Sequence, residues 1–244
     1  MIIELIKKRV GVAVYDLQWI NNFSGFSKEN PMNLKGFSKF FDEYVANRNY
    51  IYQTDNKQFP EITVRVELSQ LPHLMGLQHF DNLPYRQAEK LMQSMLNEEI
   101  TTDFLKRADK ATWDTHRDRI EGTPLIYKML NSYQSVKLVC KRMIAGRTSS
   151  YARRNMDLIF IDELGKYEYV LELREIEKDT NIYALTSLTF DKKNKNNNLT
   201  EFPHTSLNIK NLLINRIIDK DTSEPKHSDI SKQKENDFIK NRTN

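Results

Sequence analysis

Five histidines (His73, His79, His116, His204 and His227) and one cysteine, Cys140, bound the chemistry open to this chain. A single cysteine excludes an internal disulfide framework and any multi-cysteine metal site. There is no HExxH motif, no pair of histidines at metal-ligand spacing and no G-x-S-x-G elbow. The seven glycines are scattered and build neither a phosphate-binding loop nor a dinucleotide fingerprint. These absences disfavour a metal enzyme and a nucleotide-driven motor, and no cofactor is expected. What remains is acid–base and electrostatic chemistry. Metal-independent RNA cleavage needs one group to take the 2′-hydroxyl proton, another to protonate the leaving oxygen, and cations or hydroxyls to stabilise the charge at phosphorus.

The residues that could do this differ in their settings. His73 falls in a turn directly after a strand, where a side chain can reach a cleft, and a local cap or an ordinary surface histidine is the competing reading. His79 lies one to two turns further on and reads as a helix-face residue. His116, beside Trp113 and Arg117, is expected to pack on a helix or at its end. His204 and His227 belong to polar sequence and are expected to be solvated. Thr186, Ser187 and Thr189 place three hydroxyls on one strand, although threonine also favours strands for packing reasons alone. By alternation, Thr186 shares a face with Ala184 and Leu188, and Ser187 and Thr189 share the other with Tyr183. Arg174, flanked by acids, is either a charge stabiliser or an ion-paired strand residue.

The charge distribution is uneven. The chain of 244 residues carries a formal charge of +4, but residues 103–154 hold +7 and residues 155–190 hold −5. Lys141, Arg142, Arg147, Arg153 and Arg154 are the densest part of the basic stretch. Such a cluster either tracks a phosphate backbone by releasing counterions or forms a solvated helix face and turn. Twelve Phe, eleven Tyr and two Trp supply one sizeable core, which argues against wholesale disorder. No run approaches the roughly 18 apolar residues of a membrane span, and MIIELIKKRVG is not a signal peptide. The expectation is a soluble protein of the cytoplasm.

Helices and strands must position these residues. Val10, Val12 and Val14 suggest a short N-terminal strand or add-on. Leu34, Phe37, Phe40, Phe41, Tyr44 and Val45 predict a helix from about Asn33 to Asn47, and Ile62, Val64, Val66 and Leu68 predict a strand. SQLPHLMGLQHF, with its proline and glycine, is limited to a turn or short helix. Helices are expected over 85–107 and 123–145, the second with Ile126, Met129, Leu130, Tyr133, Val136 and Val139 as its stripe. MDLIFIDE, KYEYVLELREI and NIYALTSLTF then read as an antiparallel meander. A polar linker and a short amphipathic helix, carrying Ile209, Leu212, Leu213, Ile217 and Ile218, fill 191–221. The tail over 222–244 reads as disordered. The class is α+β, with helices packed on a mainly antiparallel sheet.

The segment from LKGFSKFF to MGLQHF resembles the start of a phage-associated nuclease family, the fourth phage group of the barnase–EndoU–colicin–RelE-like (BECR) superfamily. The likeness rests on a helix, a YIYQT strand, a second strand and H-L-x-G-L at His73, Leu74, Met75, Gly76 and Leu77. The later order also agrees: helix, basic turn, MDLIFI, YEYVLEL and the hydroxyl-bearing YALTSLTF. The resemblance covers residues 33–190, leaving 1–32 as an N-terminal extension. It implies a helix on an antiparallel sheet and metal-independent ribonuclease activity of the kind found in toxins and phage or mobile-element conflict proteins. By position, it assigns the catalytic histidine to His73 and the final-strand hydroxyl to Thr186, with Arg174 inferred from its place on the central strand. Arg142, Arg147, Arg153 and Arg154 would hold the RNA backbone.

Two readings of function follow. The first is a toxin-like endoribonuclease working through His73, Arg174 and Thr186. The second is a non-catalytic phage or mobile-element interaction protein on the same scaffold, anti-defence or antitoxin-like, meeting a basic partner through the acidic 155–190 stretch or docking the 210–218 helix in a partner groove. The protein partner expected is an inhibitor or a host defence protein. A structural DNA-binding protein is disfavoured because no recognition-helix motif is present.

Overall fold

A computed structural model of the chain describes residues 15–27, 29–57, 59–132, 137–140, 157–164, 167–192, 206–207 and 209–216. Its helices are α1 (Leu17–Asn21), α2 (Leu34–Tyr44), α3 (Leu71–Leu74), α4 (Ala88–Leu96), α5 (Thr102–Ala108), α6 (Lys110–Gly122) and α7 (Leu125–Asn131). Its strands are β1 (Arg48–Thr54), β2 (Glu61–Val66), β3 (Lys137–Cys140), β4 (Leu158–Leu164), β5 (Tyr167–Glu177), β6 (Ile182–Lys192), β7 (Ser206–Leu207) and β8 (Ile209–Arg216). They form one sheet in the order β7-β3-β4-β5-β6-β2-β1-β8. All neighbours are antiparallel except β2 and β6, which run parallel. The α+β class expected from the sequence is therefore the class observed.

Helix α2 begins where the Asn33 side chain accepts the Gly36 amide, 2.7 Å away, a standard use of asparagine at a helix start. Its Phe37, Phe40 and Phe41 are buried against the sheet face that carries Tyr50, Tyr52, Ile62 and Val64. The buried Tyr52 hydroxyl donates to the Leu130 carbonyl at 2.8 Å and so ties β1 to α7. Residues 15–32 join the same core: Tyr15, Ile20, Phe23 and Met32 are buried in it, and the Tyr15 hydroxyl accepts the Asn33 amide. No helix among the described residues is long and apolar enough to cross a membrane.

Three expectations are corrected. The helix over 85–107 is two helices, α4 and α5, separated where Glu98 takes a positive φ of 63° and Thr101 caps the second. The helix over 123–145 ends at Asn131, and Lys137–Cys140 is the strand β3, paired antiparallel with β4. All four residues from Leu158 to Ile161 in β4 are buried, so its free edge is better satisfied by a strand than by a helix. The segment 209–216 is the edge strand β8, not an amphipathic helix. Its pairing with β1 slips by one residue between Gln53 and Thr54. That slip lets Ile209, Leu212 and Ile214 all pack on the core, and the i, i+3 step from Ile209 to Leu212 imitates helical spacing.

The N-terminal strand around Val10–Val14 and the 222–244 tail lie outside the described residues, as does most of the polar linker.

Candidate active site

The site forms where β2 and β6 part. Their parallel pairing runs through Thr63 with Ile182, Val64 with Tyr183 and Arg65 with Ala184. β2 then leaves the sheet. Glu67 and Gln70 bond reciprocally in a capping box, and Pro72 stands in the first turn of α3, so the chain turns into helix just where it quits β6. Helix α3 packs against the stretch of β6 that β2 has uncovered.

The His73 side chain extends from α3 into this fork, where its ring faces the backbone carbonyl of Thr186. Loss of solvent and then the Arg119 charge hold its pKa below the ordinary histidine value, and the Thr186 hydrogen bond opposes them. At neutral pH the ring is therefore uncharged. A ring nitrogen that donates to this carbonyl leaves the other as a proton acceptor.

Arg119, on α6, fixes this arrangement. It is 8% exposed, with Nε donating to the Leu74 carbonyl at 2.8 Å and Nη2 donating to the His73 carbonyl at 2.7 Å. The same Nη2 lies 3.4 Å from Ser187 Oγ on β6. One guanidinium thus closes the C-terminal end of α3 and anchors it to the strand that carries Thr186. Burial lowers the Arg119 pKa to about 10, against the favourable field of Glu172.

Two glycines make these approaches possible. Gly76 ends α3 with φ +80°, and a side-chain carbon there would sit 3.2 Å from Arg119 Cδ, Arg119 Nε and His116 Cδ2. Gly122, three residues after Arg119, packs directly on Tyr169, where a Cβ would come within 2.1 Å of the ring. The Tyr169 hydroxyl also donates to the Asp118 carbonyl at 3.2 Å. Seating α6 on β5 in this way sets the height at which Arg119 meets α3.

A stacked pair of histidines borders the fork. The rings of His79 and His116 stack with centroids 4.6 Å apart, and His116 Nδ1 lies 3.1 Å from the Thr112 carbonyl. The His79 pKa is also lowered, by loss of solvent and then by His116, Arg119 and His73. Among the described residues, no group of three His, Cys, Asp or Glu side chains could hold a metal ion.

The residues anticipated from the sequence are placed as follows. His73 and Thr186 meet, but through the threonine backbone. The Thr186 hydroxyl itself donates to the Glu172 carbonyl at 3.0 Å. The pairing of β5 with β6 shifts here, Glu172 facing Ser187 and Leu173 facing Leu185, so that Thr186 is the extra residue of a bulge. The bulge also breaks the simple alternation expected along β6, because Leu185 and Leu188 are both buried. Arg174 is exposed on β5, opposite Ala184. Arg142, Arg147, Arg153 and Arg154 lie outside the described residues. The residue not anticipated is Arg119. Its signal was the spacing His116, Arg119, Gly122, which lines one face of a helix.

Sequence comparison decides the family. The family described as phage-Barnase-EndoU-ColicinE5/D-RelE like nuclease4 matches residues 33–243. The chain belongs to that nuclease family. The match begins at the cap of α2 and takes in every strand of the sheet together with His73, Arg119 and Thr186. Membership of this nuclease family makes nucleic acid the substrate class, and the helix-on-sheet architecture agrees with it. No curated protein and no solved structure matches the chain.

Proposed function

We propose that this nuclease cleaves RNA without a metal ion, as a toxin-like ribonuclease of phage or mobile-element conflict, with His73 as its general base. The observation that carries the reading is the His73 ring held on the Thr186 carbonyl at the fork between β2 and β6. A neutral imidazole whose inner nitrogen is occupied as a donor presents its outer nitrogen to a ribose 2′-hydroxyl. The proton passes to His73, the 2′ oxygen bonds to phosphorus, and the 5′ oxygen leaves. The leaving oxygen takes its proton from water or from the protonated form of His79, the exposed member of the stacked pair. Arg119 keeps His73 in position through its peptide carbonyl, and Arg174 and the Thr186–Ser187 bulge supply polarity around the phosphate. The basic stretch with Arg142, Arg147, Arg153 and Arg154 holds the RNA backbone.

The test is incubation of the purified protein with total cellular RNA in EDTA, beside His73→Ala. Cleavage should survive chelation and fall by about 100-fold or more in the variant, the usual worth of acid–base assistance. A folded His73→Ala protein that cleaves normally would remove His73 from the mechanism. Cleavage abolished by EDTA and restored by a divalent cation would overturn the metal-independent reading.

A further inference from the structure

The face of the sheet turned away from the aromatic core carries a row of side chains at the same fork. The paired positions Arg174, Ala184, Arg65 and Asn49 run side by side across β5, β6, β2 and β1. Arg65 is in the last pair before β2 leaves β6, and Ala184 lies two residues before Thr186, the partner of His73. That offset along β6 is about 6–7 Å, given a strand rise of about 3.3 Å per residue.

Arg65 is half-buried, yet its Nε is buried with no hydrogen-bond partner. Among the described residues no hydrogen bond or ion pair reaches its guanidinium. On the neighbouring strand, directly opposite in the register, Asn49 Oδ1 is also buried and unpartnered. A buried guanidinium donor left unmatched costs free energy unless something else takes the bond. Two orphaned polar atoms side by side are an exception to the normal satisfaction of buried polar groups. Across β6, Ala184 is the smallest side chain of the row, so nothing bulky separates Arg65 from Arg174, about 10 Å away at two strand spacings.

We propose that Arg65 is a phosphate-binding residue of this nuclease, taking the backbone phosphate of a single-stranded nucleic acid beside His73. An anion supplies what the Nε lacks, and a guanidinium at the fork holds the chain in register with the imidazole. The placement rests on the reading that the fork is the active site.

The experiment measures binding of a fluorescent 2′-O-methyl RNA 12-mer, which cannot undergo 2′-hydroxyl attack, at several salt concentrations in EDTA. Arg65→Gln should weaken binding about tenfold, the worth of one charged hydrogen bond. It should also flatten the dependence of log Kd on log salt by about 0.7, as expected for one lost phosphate contact on a single strand. Arg65→Lys should keep the salt slope while losing part of the affinity. Unchanged affinity and slope in Arg65→Gln overturn the proposal, whatever His73→Ala does. Arg65-dependent binding in a protein that cleaves no RNA would leave the phosphate seat standing and remove the catalytic reading instead. If Arg65→Gln does not fold, the Arg65 Nε–Hε resonance of the unsubstituted protein decides: it should shift on titration with the 12-mer, and a stationary resonance overturns the assignment.

Discussion

The guanidinium of Arg119 and the peptide carbonyl of His73 meet at 2.7 Å, although the two residues are 46 positions apart in the chain. The contact does not touch the imidazole. It fixes the last turn of a four-residue helix whose own hydrogen bonds are too few to hold it still. Replacing Arg119 with Met removes both that bond and the one to Leu74 while keeping much of the volume. The expected cost is about 2 kcal/mol, in the range for hydrogen bonds to a charged group. Single-turnover cleavage should fall further than the loss of folded protein explains. Urea unfolding and cleavage rates measured on the same preparations separate the two. Arg119→Lys should not rescue, because a lone ammonium cannot serve two carbonyls and Ser187 with a planar fork.

The histidines give the pH dependence a definite sign. His73 and His79 both have folded-state pKa values below the ordinary 6.5. Over the interval between those values and about 6.5, the unfolded chain binds more protons than the folded one. Stability should therefore fall as pH drops through about 6.5 and level off below the folded-state values. A His73 base must be neutral, so the acid limb of the cleavage profile should lie below 6.5. Proton NMR titration of the His73 ring, beside single-turnover rates from pH 4.5 to 8, provides the check. An acid limb above 7 would contradict the environment described for His73.

Gly122 tests how α6 is seated. A methyl group there overlaps the Tyr169 ring, so Gly122→Ala should destabilise by about 3 kcal/mol, the upper end of overpacking costs. Tyr169→Leu should relieve part of that loss. A double-mutant cycle should show a coupling of at least about 1 kcal/mol, and additive effects would mean that the two residues do not touch.

Strand β8 makes a prediction about two neighbouring leucines. Leu212 packs on the core, and Leu213 is 45% exposed on the opposite face. Leu212→Ala should cost about 1–2 kcal/mol as a partly buried truncation, whereas Leu213→Ala should stay within about 0.5 kcal/mol. Equal losses at both positions would be inconsistent with the strand.

Much of this was readable locally. The α2 stripe of Leu34, Phe37 and Phe41, the alternation of Ile62, Val64 and Val66, and the three-strand meander all encode their own period, and each appears with nearly its expected bounds. His73 could be singled out because a proline and a glycine confine its segment to a short turn-like helix beside a strand. The misread segments are those where a few apolar residues fit two periods at once. Over 209–216 the choice was made by the open edge of β1, and over 137–140 by the edge of β4.

The sequence alone determined the family, the α+β class, the aromatic core and the histidine of the H-L-x-G-L element, because all of these are written in residue order and short-range periodicity. Only the tertiary structure decided what surrounds that histidine. Arg119, the Thr186 carbonyl and the stacked His79–His116 rings come together because β2 leaves β6 after three paired residues, and α3 and α6 close over the gap. Hydrogen bonds between distant groups depend on where whole elements pack, and no local pattern of residue types encodes that distance.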